Sequence, residues 1–271
     1  MIIFSHKNNV LLLIVVTLMA LLAGHAPAHA GPRVKATFQA ALLDIDGNFG
    51  IQPNSNTIIL TSDAQALGLK EETVFQPHLD LDWKDWHLWL IGFQADYSGS
   101  GTLEAKVQIG NFPPITRGTP VRTDAGFKYL TANVVYDILP TDAVDVGLGL
   151  GGGLINYELG FKSEVSSVRV ALDDTLPFVF PIVRIAKEIG HFGVMGTIGG
   201  IAVVLGAHDI SYLQMDIGIN YRIFGQDKKT RGTVTLGYQY FSMDYEYEGQ
   251  SSIGIIDVVL SGPYLGFALT F

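Results

Sequence analysis

The sequence has no cysteine. Disulfides and thiolate metal sites are therefore excluded, and stability has to come from packing and hydrogen bonding. Basic residues are few: 17 Lys and Arg against 26 Asp and Glu give a net charge of −9. An acidic chain without a basic run is not expected to bind nucleic acid. Beyond residue 30, no stretch of about 18 apolar residues runs without a charge, so no transmembrane helix is expected. The richest candidate, 192–206, is short and full of glycine. Helical periodicity is also scarce.

The first thirty residues are of a different kind. Lys7 precedes an apolar run, VLLLIVVTLMALLA, and a small-residue ending, Ala28-His29-Ala30. These are the parts of a secretory signal with an A-x-A cleavage site. The expected mature chain, 31–271, forms one domain of charge near −10.

From residue 33 onward the dominant period is two. Leu213, Met215, Ile217, Ile219, Tyr221 and Ile223 alternate with Gln214, Asp216, Gly218, Asn220 and Arg222. A strand places these two sets on opposite faces. The same rhythm recurs at 73–84, 121–139, 144–161 and 230–245. Runs of nine to eleven such residues suit a tilted strand crossing a bilayer. Short turn-rich breaks, such as Lys84-Asp85-Trp86 and Pro140-Thr141-Asp142-Ala143, alternate with longer polar stretches at 46–72, 97–120, 162–175, 206–209 and 246–252. Short turns on one side and longer loops on the other suit a closed, antiparallel, meandering transmembrane β-barrel. Ten strands are expected, near 34–44, 73–84, 87–97, 121–139, 144–161, 176–187, 191–205, 210–224, 230–245 and 253–271, with eight or twelve as alternatives. Pro177 and Pro181 are expected at an end or bulge of the sixth. In TSDAQALGLK, Ser62 and Gln65 stand at capping-box spacing and Gly68 at a stop, which predicts a short helix in the first long loop.

The sequence closes on GPYLGFALTF, in which Leu265, Phe267, Leu269 and Phe271 alternate with Tyr264, Gly266, Ala268 and Thr270. In lipid a sheet must close on itself, so these apolar residues are expected to face lipid on the closing strand. The ending resembles the C-terminal signal of bacterial outer-membrane β-barrel proteins. That resemblance implies an address in the outer membrane, contact with its lipid and lipopolysaccharide, and reading of Leu265, Phe267, Leu269 and Phe271 by the barrel assembly machinery.

Several groupings could carry chemistry. Gly147-Leu-Gly149-Leu-Gly151-Gly152 matches a dinucleotide fingerprint in letters, but the strand continues where a helix is required. Gly147, Gly149, Gly151 and Gly153 are instead expected to point inward and leave room for large side chains. Asp44-Ile-Asp46-Gly-Asn48 has the start of a calcium loop, but Phe49 and Ser55 stand where Gly and Glu are needed, so a turn is expected. Trp83, Trp86 and Trp89 suit an aromatic girdle at the membrane interface. Charges are costly in lipid, so His78, Asp80, Asp82, Asp137, Asp145, Arg184, Asp216 and Arg222 are expected to face the lumen and pair there. Arg184 is the expected partner of Asp216, and Asp82, Asp137 or Asp145 that of Arg222. No metal or cofactor is expected. His208, Asp209, Ser211 and Asp216 contain the residue types of a hydrolase, yet nucleophile and base must meet within bonding reach.

The expected function is that of a non-enzymatic integral outer-membrane protein with a filled or narrow polar lumen and a structural or surface-recognition role. The alternatives are a small-solute pore and, third, a lipid-modifying enzyme acting as a lipid A acyl hydrolase or transferase. The sequence names no ligand for the external loops.

Overall fold

In the computed structural model, which describes residues 32–53, 60–103, 117–140, 144–163, 169–205, 208–225, 230–248 and 252–271, almost every residue lies in one sheet. The expected signal segment, 1–30, lies outside the described residues. The strands are β1 (Arg33–Pro53), β2 (Leu60–Asp63), β3 (Glu72–Trp83), β4 (Trp86–Thr102), β5 (Pro120–Pro140), β6 (Asp145–Ser163), β7 (Arg169–Ile189), β8 (Phe192–Leu205), β9 (His208–Phe224), β10 (Arg231–Glu248) and β11 (Ser252–Thr270). Each pairs antiparallel with its chain neighbour, except that β3 pairs with β1 and β2 adds to the outer part of β1. β11 then pairs with β1, so ten strands close into a barrel. The backbone of Phe271 takes part in the seam, donating to the carbonyl of Val34 at 2.8 Å.

One end carries short connections and may be named the turn end. The β3–β4 hairpin turns on two residues, and Lys84 adopts φ +57°, a conformation that such a tight turn requires. Gly190 (φ +62°) serves the β7–β8 turn in the same way. At the opposite, loop end, β1, β4 and β7 run farther than expected, β1 to Pro53, β4 to Thr102 and β7 from Arg169.

Side chains obey the period of two. Ile217, Ile219, Leu236, Leu265, Leu150 and Val179 point outward and are exposed, and so are Phe267 and Phe271. This apolar band has visible borders. At the turn end Trp86 meets Tyr136 at a ring separation of 5.0 Å, and Phe192 meets Tyr221 at 5.0 Å. Toward the loop end, outward-facing Gln94, Lys128, Asn156 and Thr175 are direct cross-strand neighbours on β4 to β7, one step beyond Leu130 and Leu154.

Three local expectations need correction. The stretch 64–68, after the end of β2, is a turn rather than a helix. Asp63, not Ser62, caps it: its Oδ1 accepts from the amides of Gln65 at 2.6 Å and Ala66 at 3.3 Å. Gly68 has the expected positive φ, +74°. The Asp44–Asn48 stretch is not a turn at a strand end, because β1 continues to Pro53 through Gly47 (φ +122°). Pro177 and Pro181 stand inside β7, not at its end. The β6 ladder passes both unbroken, while pairing with β8 stops at Ile182 opposite Gly199. Their missing donors therefore face β8, where no ladder exists.

Candidate functional site

The lumen is filled, and its filling changes from ionic at the turn end to aliphatic at the loop end. β6 explains much of it. Its inward residues Gly147, Gly149, Gly151 and Gly153 each lie between an inward residue of β5 and one of β7. The rows are Asp137–Gly147–Arg184, Val135–Gly149–Ile182, Asn133–Gly151–Phe180 and Thr131–Gly153–Phe178. Any side chain at the middle position would collide: a Cβ on Gly147 would meet the Asp137 carboxylate, and one on Gly151 would meet the ring of Phe180. The alternating glycines form a trough over which the β7 side chains lie.

The first row builds an ionic cluster. Arg184 reaches across Gly147 and gives its Nη1 hydrogen to Asp137 Oδ1 at 3.2 Å. The other oxygen of Asp137 lies 2.7 Å from His87 Nε2, and His87 Nδ1 lies 2.7 Å from Asp82 Oδ1. An imidazole makes both bonds as donor only when each ring nitrogen carries a hydrogen. The Asp137 amide also bonds to the carbonyl of Asp85, at 2.8 Å, which ties the cluster to the β3–β4 turn. Beside it, Lys35 and Asp80 are directly opposed on β1 and β3, 3.5 Å apart.

Above the ions lies a layer of amides and hydroxyls. Gln39 Nε2 donates to Gln76 at 2.9 Å and Gln239 at 3.3 Å, Tyr264 donates to Asp216 at 2.9 Å, and Thr235 donates to Asn220 at 2.6 Å. Next is an aromatic plug. The hydroxyls of Tyr129 and Tyr212 are 2.6 Å apart and share Gln214 Oε1. Phe93, Phe178, Phe180 and Phe241 pack around them, with ring centroids 4.7–5.4 Å from the nearer tyrosine. Toward the loop end the core is aliphatic, with Leu43, Ile45, Val74, Val121 and Leu260 fully buried. The turn after β2 covers this end: Ala64 and Leu67 are completely buried, and the Thr102 amide donates to the Ala66 carbonyl at 3.2 Å. A Cβ on Gly99 or Gly101 would strike the backbone of 66–68, so Ser98-Gly99-Ser100-Gly101 is where β4 admits this cover.

No family model and no curated protein matches this chain. Similar solved structures include the outer membrane protease OmpT of Escherichia coli, with a TM-score of 0.53 and 10% identity over 88% of this chain and 97% of that one. They also include the translocator domain of the autotransporter NalP of Neisseria meningitidis, with a TM-score of 0.39 and 13% identity over 97% of this chain and 96% of that one. The attachment invasion locus protein Ail of Yersinia pestis scores 0.32, at 10% identity over 88% and 99%. The chain has the fold of a bacterial outer-membrane β-barrel. At these identities the likeness concerns fold alone.

Within the barrel the expected lumen residues fall as follows. Asp80, Asp82, Asp137, Arg184, Asp216 and Arg222 all face inward, and His78 lies among them with a buried, unbonded Nε2. Asp145 lines a cavity at the turn end. The partners differ from those expected. Arg184 binds Asp137, not Asp216, whose partner is Tyr264. Arg222 pairs with Glu188 at 2.9 Å rather than with Asp82, Asp137 or Asp145. His87, the centre of the cluster, escaped notice in the sequence because it sits between two tryptophans. Its parity, odd like that of Trp89 and opposite to Leu88 and Leu90, was the available signal.

Trp83 and Trp86 face outward, 52% and 47% exposed, but Trp89 is only 8% exposed and turned into the lumen. Trp89 stands three positions after Trp86, an odd step that a strand sends to the other face. Leu265, Phe267, Leu269 and Phe271 all lie on the outer face of the closing strand. Asp209 and Ser211 are exposed on the outer face of β9, whereas Asp216 points inward. The side chain of His208 lies outside the described residues.

Proposed function

We propose that this protein is a non-enzymatic integral outer-membrane barrel, sealed along its lumen, with its turn end in the periplasm and its loop end at the cell surface. The sealed lumen carries this reading. A solute entering from the turn end meets, in order, the His87–Asp137–Arg184 cluster, the glutamine layer, the Tyr129–Tyr212 plug and the cover over Ala64 and Leu67. Each layer is bonded or packed within itself, and packed interiors leave few voids larger than water. Both nitrogens of His87 are held by carboxylates, so it has no free lone pair to act as a base.

The band between the Trp86–Tyr136 and Gln94–Lys128–Asn156–Thr175 borders would contact the membrane, with lipopolysaccharide at the second border. Leu265, Phe267, Leu269 and Phe271 would serve as the assembly signal. The role is structural, or one of surface recognition through the loop end. Swelling of proteoliposomes in solutions of small sugars and amino acids tests the seal. Vesicles carrying the protein should swell no faster than protein-free vesicles. Swelling that scales with protein content would establish a small-solute pore instead.

A further inference from the structure

The turn end of the lumen opens into a cavity of about 590 Å³, closed inward by the His87–Arg184 cluster. Its charge opposes that of the chain. Six lysines and arginines line it, Arg33, Lys35, Lys84, Arg184, Arg222 and Arg231, against three carboxylates, Asp82, Asp145 and Glu188, in a protein of net charge −9. Lys187 lies at its edge but in step with the outward Ile185 and Ile189. Two of those carboxylates are already engaged, Asp82 with His87 and Glu188 with Arg222. Arg184 and Lys35 are held by Asp137 and Asp80. Arg33, Lys84 and Arg231 have no carboxylate within ion-pair distance among the described residues. These three come from β10, β1 and the β3–β4 turn, an arc of the mouth that spans the β11–β1 seam. Nothing in the barrel's own closure calls for three cations without a carboxylate partner at one concave end. Like charges there repel one another, and low-dielectric walls focus their potential into the cavity.

We propose that this vestibule is a binding site for a compact multivalent oxyanion, with phosphate-bearing ligands favoured. The volume falls in the range of small-ligand pockets. The blind inner end suits a ligand entering end-on from the periplasm. Arginine presents a planar fork of donors matched to phosphate and carboxylate oxygens, and among the described residues Arg33 and Arg231 keep that fork uncommitted. The buried Arg184 at the floor is oriented by Asp137 and contributes field rather than a free donor.

The test uses the full barrel refolded in a neutral detergent and titrated calorimetrically with pyrophosphate at low and high salt. Citrate is a parallel arm that separates phosphate from carboxylate recognition. We expect saturable binding of pyrophosphate at one site, weakened by salt as exposed charges become screened. In the rim variant R33Q/R231Q the affinity should fall about tenfold or more. Heat-dependent gel mobility of the same samples shows that the variant is folded. Tighter citrate than pyrophosphate binding would overturn the phosphate preference. Absence of saturable heat from both anions, or unchanged affinity in a folded rim variant, would overturn the site. A barrel that is sealed but binds neither anion contradicts this inference alone, and one that binds pyrophosphate but swells vesicles contradicts only the proposed seal.

Discussion

Phe180 lies where Gly151 would carry its side chain. The phenylalanine is fully buried, and the tip of its ring fills the space a Cβ on Gly151 would take, beside Asn133 Oδ1. Phe180→Ala should cost ~3–5 kcal/mol through loss of packing and the cavity left behind. Gly151→Ala should be destabilising because its methyl overpacks the site, by ~1–3 kcal/mol. In the double variant the methyl partly occupies the vacated space, so the two losses should fall short of additivity. Urea unfolding from lipid vesicles measures all three, and strict additivity would show that the two positions do not share space.

The ion pairs of the lumen should differ sharply in weight. Arg184 and Asp137 side chains are 15% and 9% exposed, whereas Glu188, the partner of Arg222, is 75% exposed. Removing Arg184 takes a charged partner from buried Asp137 and leaves it His87 alone, so Arg184→Ala should cost about 1.5–3 kcal/mol. Arg222→Ala breaks a pair with one end in water and should cost at most ~1 kcal/mol. The two unfolding midpoints, measured side by side, decide this. A larger loss at Arg222 would place the critical ionic cluster elsewhere.

Position 217 tests the lipid face and position 218 the lumen. Ile217 is outward and 59% exposed, at mid-strand on β9. Ile217→Arg should cost ~2–4 kcal/mol of folding into lipid. Gly218 points inward, and a Cβ there would stand 2.7 Å from the Tyr264 hydroxyl. Gly218→Ser should therefore be destabilising as well, by displacing Tyr264 from Asp216. The same two substitutions in neutral-detergent micelles and in vesicles of varied acyl length separate the causes: the penalty at 217 should follow the hydrocarbon, and that at 218 should not.

A pH dependence follows from the loop end. Asp244 and Asp257 are directly opposed on β10 and β11, level with Ser211 and beyond the apolar band. Burial, then the facing carboxylates Asp257 and Asp209, push the Asp244 carboxyl above its ordinary range. A carboxyl raised in the folded state binds protons more tightly there than in the unfolded chain. Its charge therefore weakens the fold at neutral pH, and the loss is relieved as pH falls through the raised value. Asp257→Asn should raise the unfolding midpoint at neutral pH by an amount worth at most ~1 kcal/mol. The gain should shrink in acid and in high salt. A gain independent of both would rule out charge as its cause.

Facing and closure were legible in the sequence because both are local. Alternation along Leu213–Ile223 or Leu130–Ile138 fixes which side chains meet lipid, whatever the neighbouring strand does. The inward glycines of β6 could be read for the same reason. Partner choice could not, because it depends on which strands lie side by side in what register. Arg184 reaches Asp137 only because Gly147 sits between them in one row. The cover at Ala64 and Leu67 was equally hidden, since a helix signal in a loop does not say what the loop lies upon. Trp89 was misplaced because three nearby tryptophans were read as one group, against the parity of the strand.

The central claim is that the lumen is closed in several independent layers. Planar-bilayer recording on the wild type and on F178A/F180A/Y212A, which removes three rings of the aromatic plug, tests it most directly. The wild type should insert without steps in current under voltage and at high salt. The plug variant should also remain silent or show only brief openings, because the ionic cluster and the cover over Leu67 remain in place. Steady, uniform single-channel currents from the wild-type protein would contradict the account.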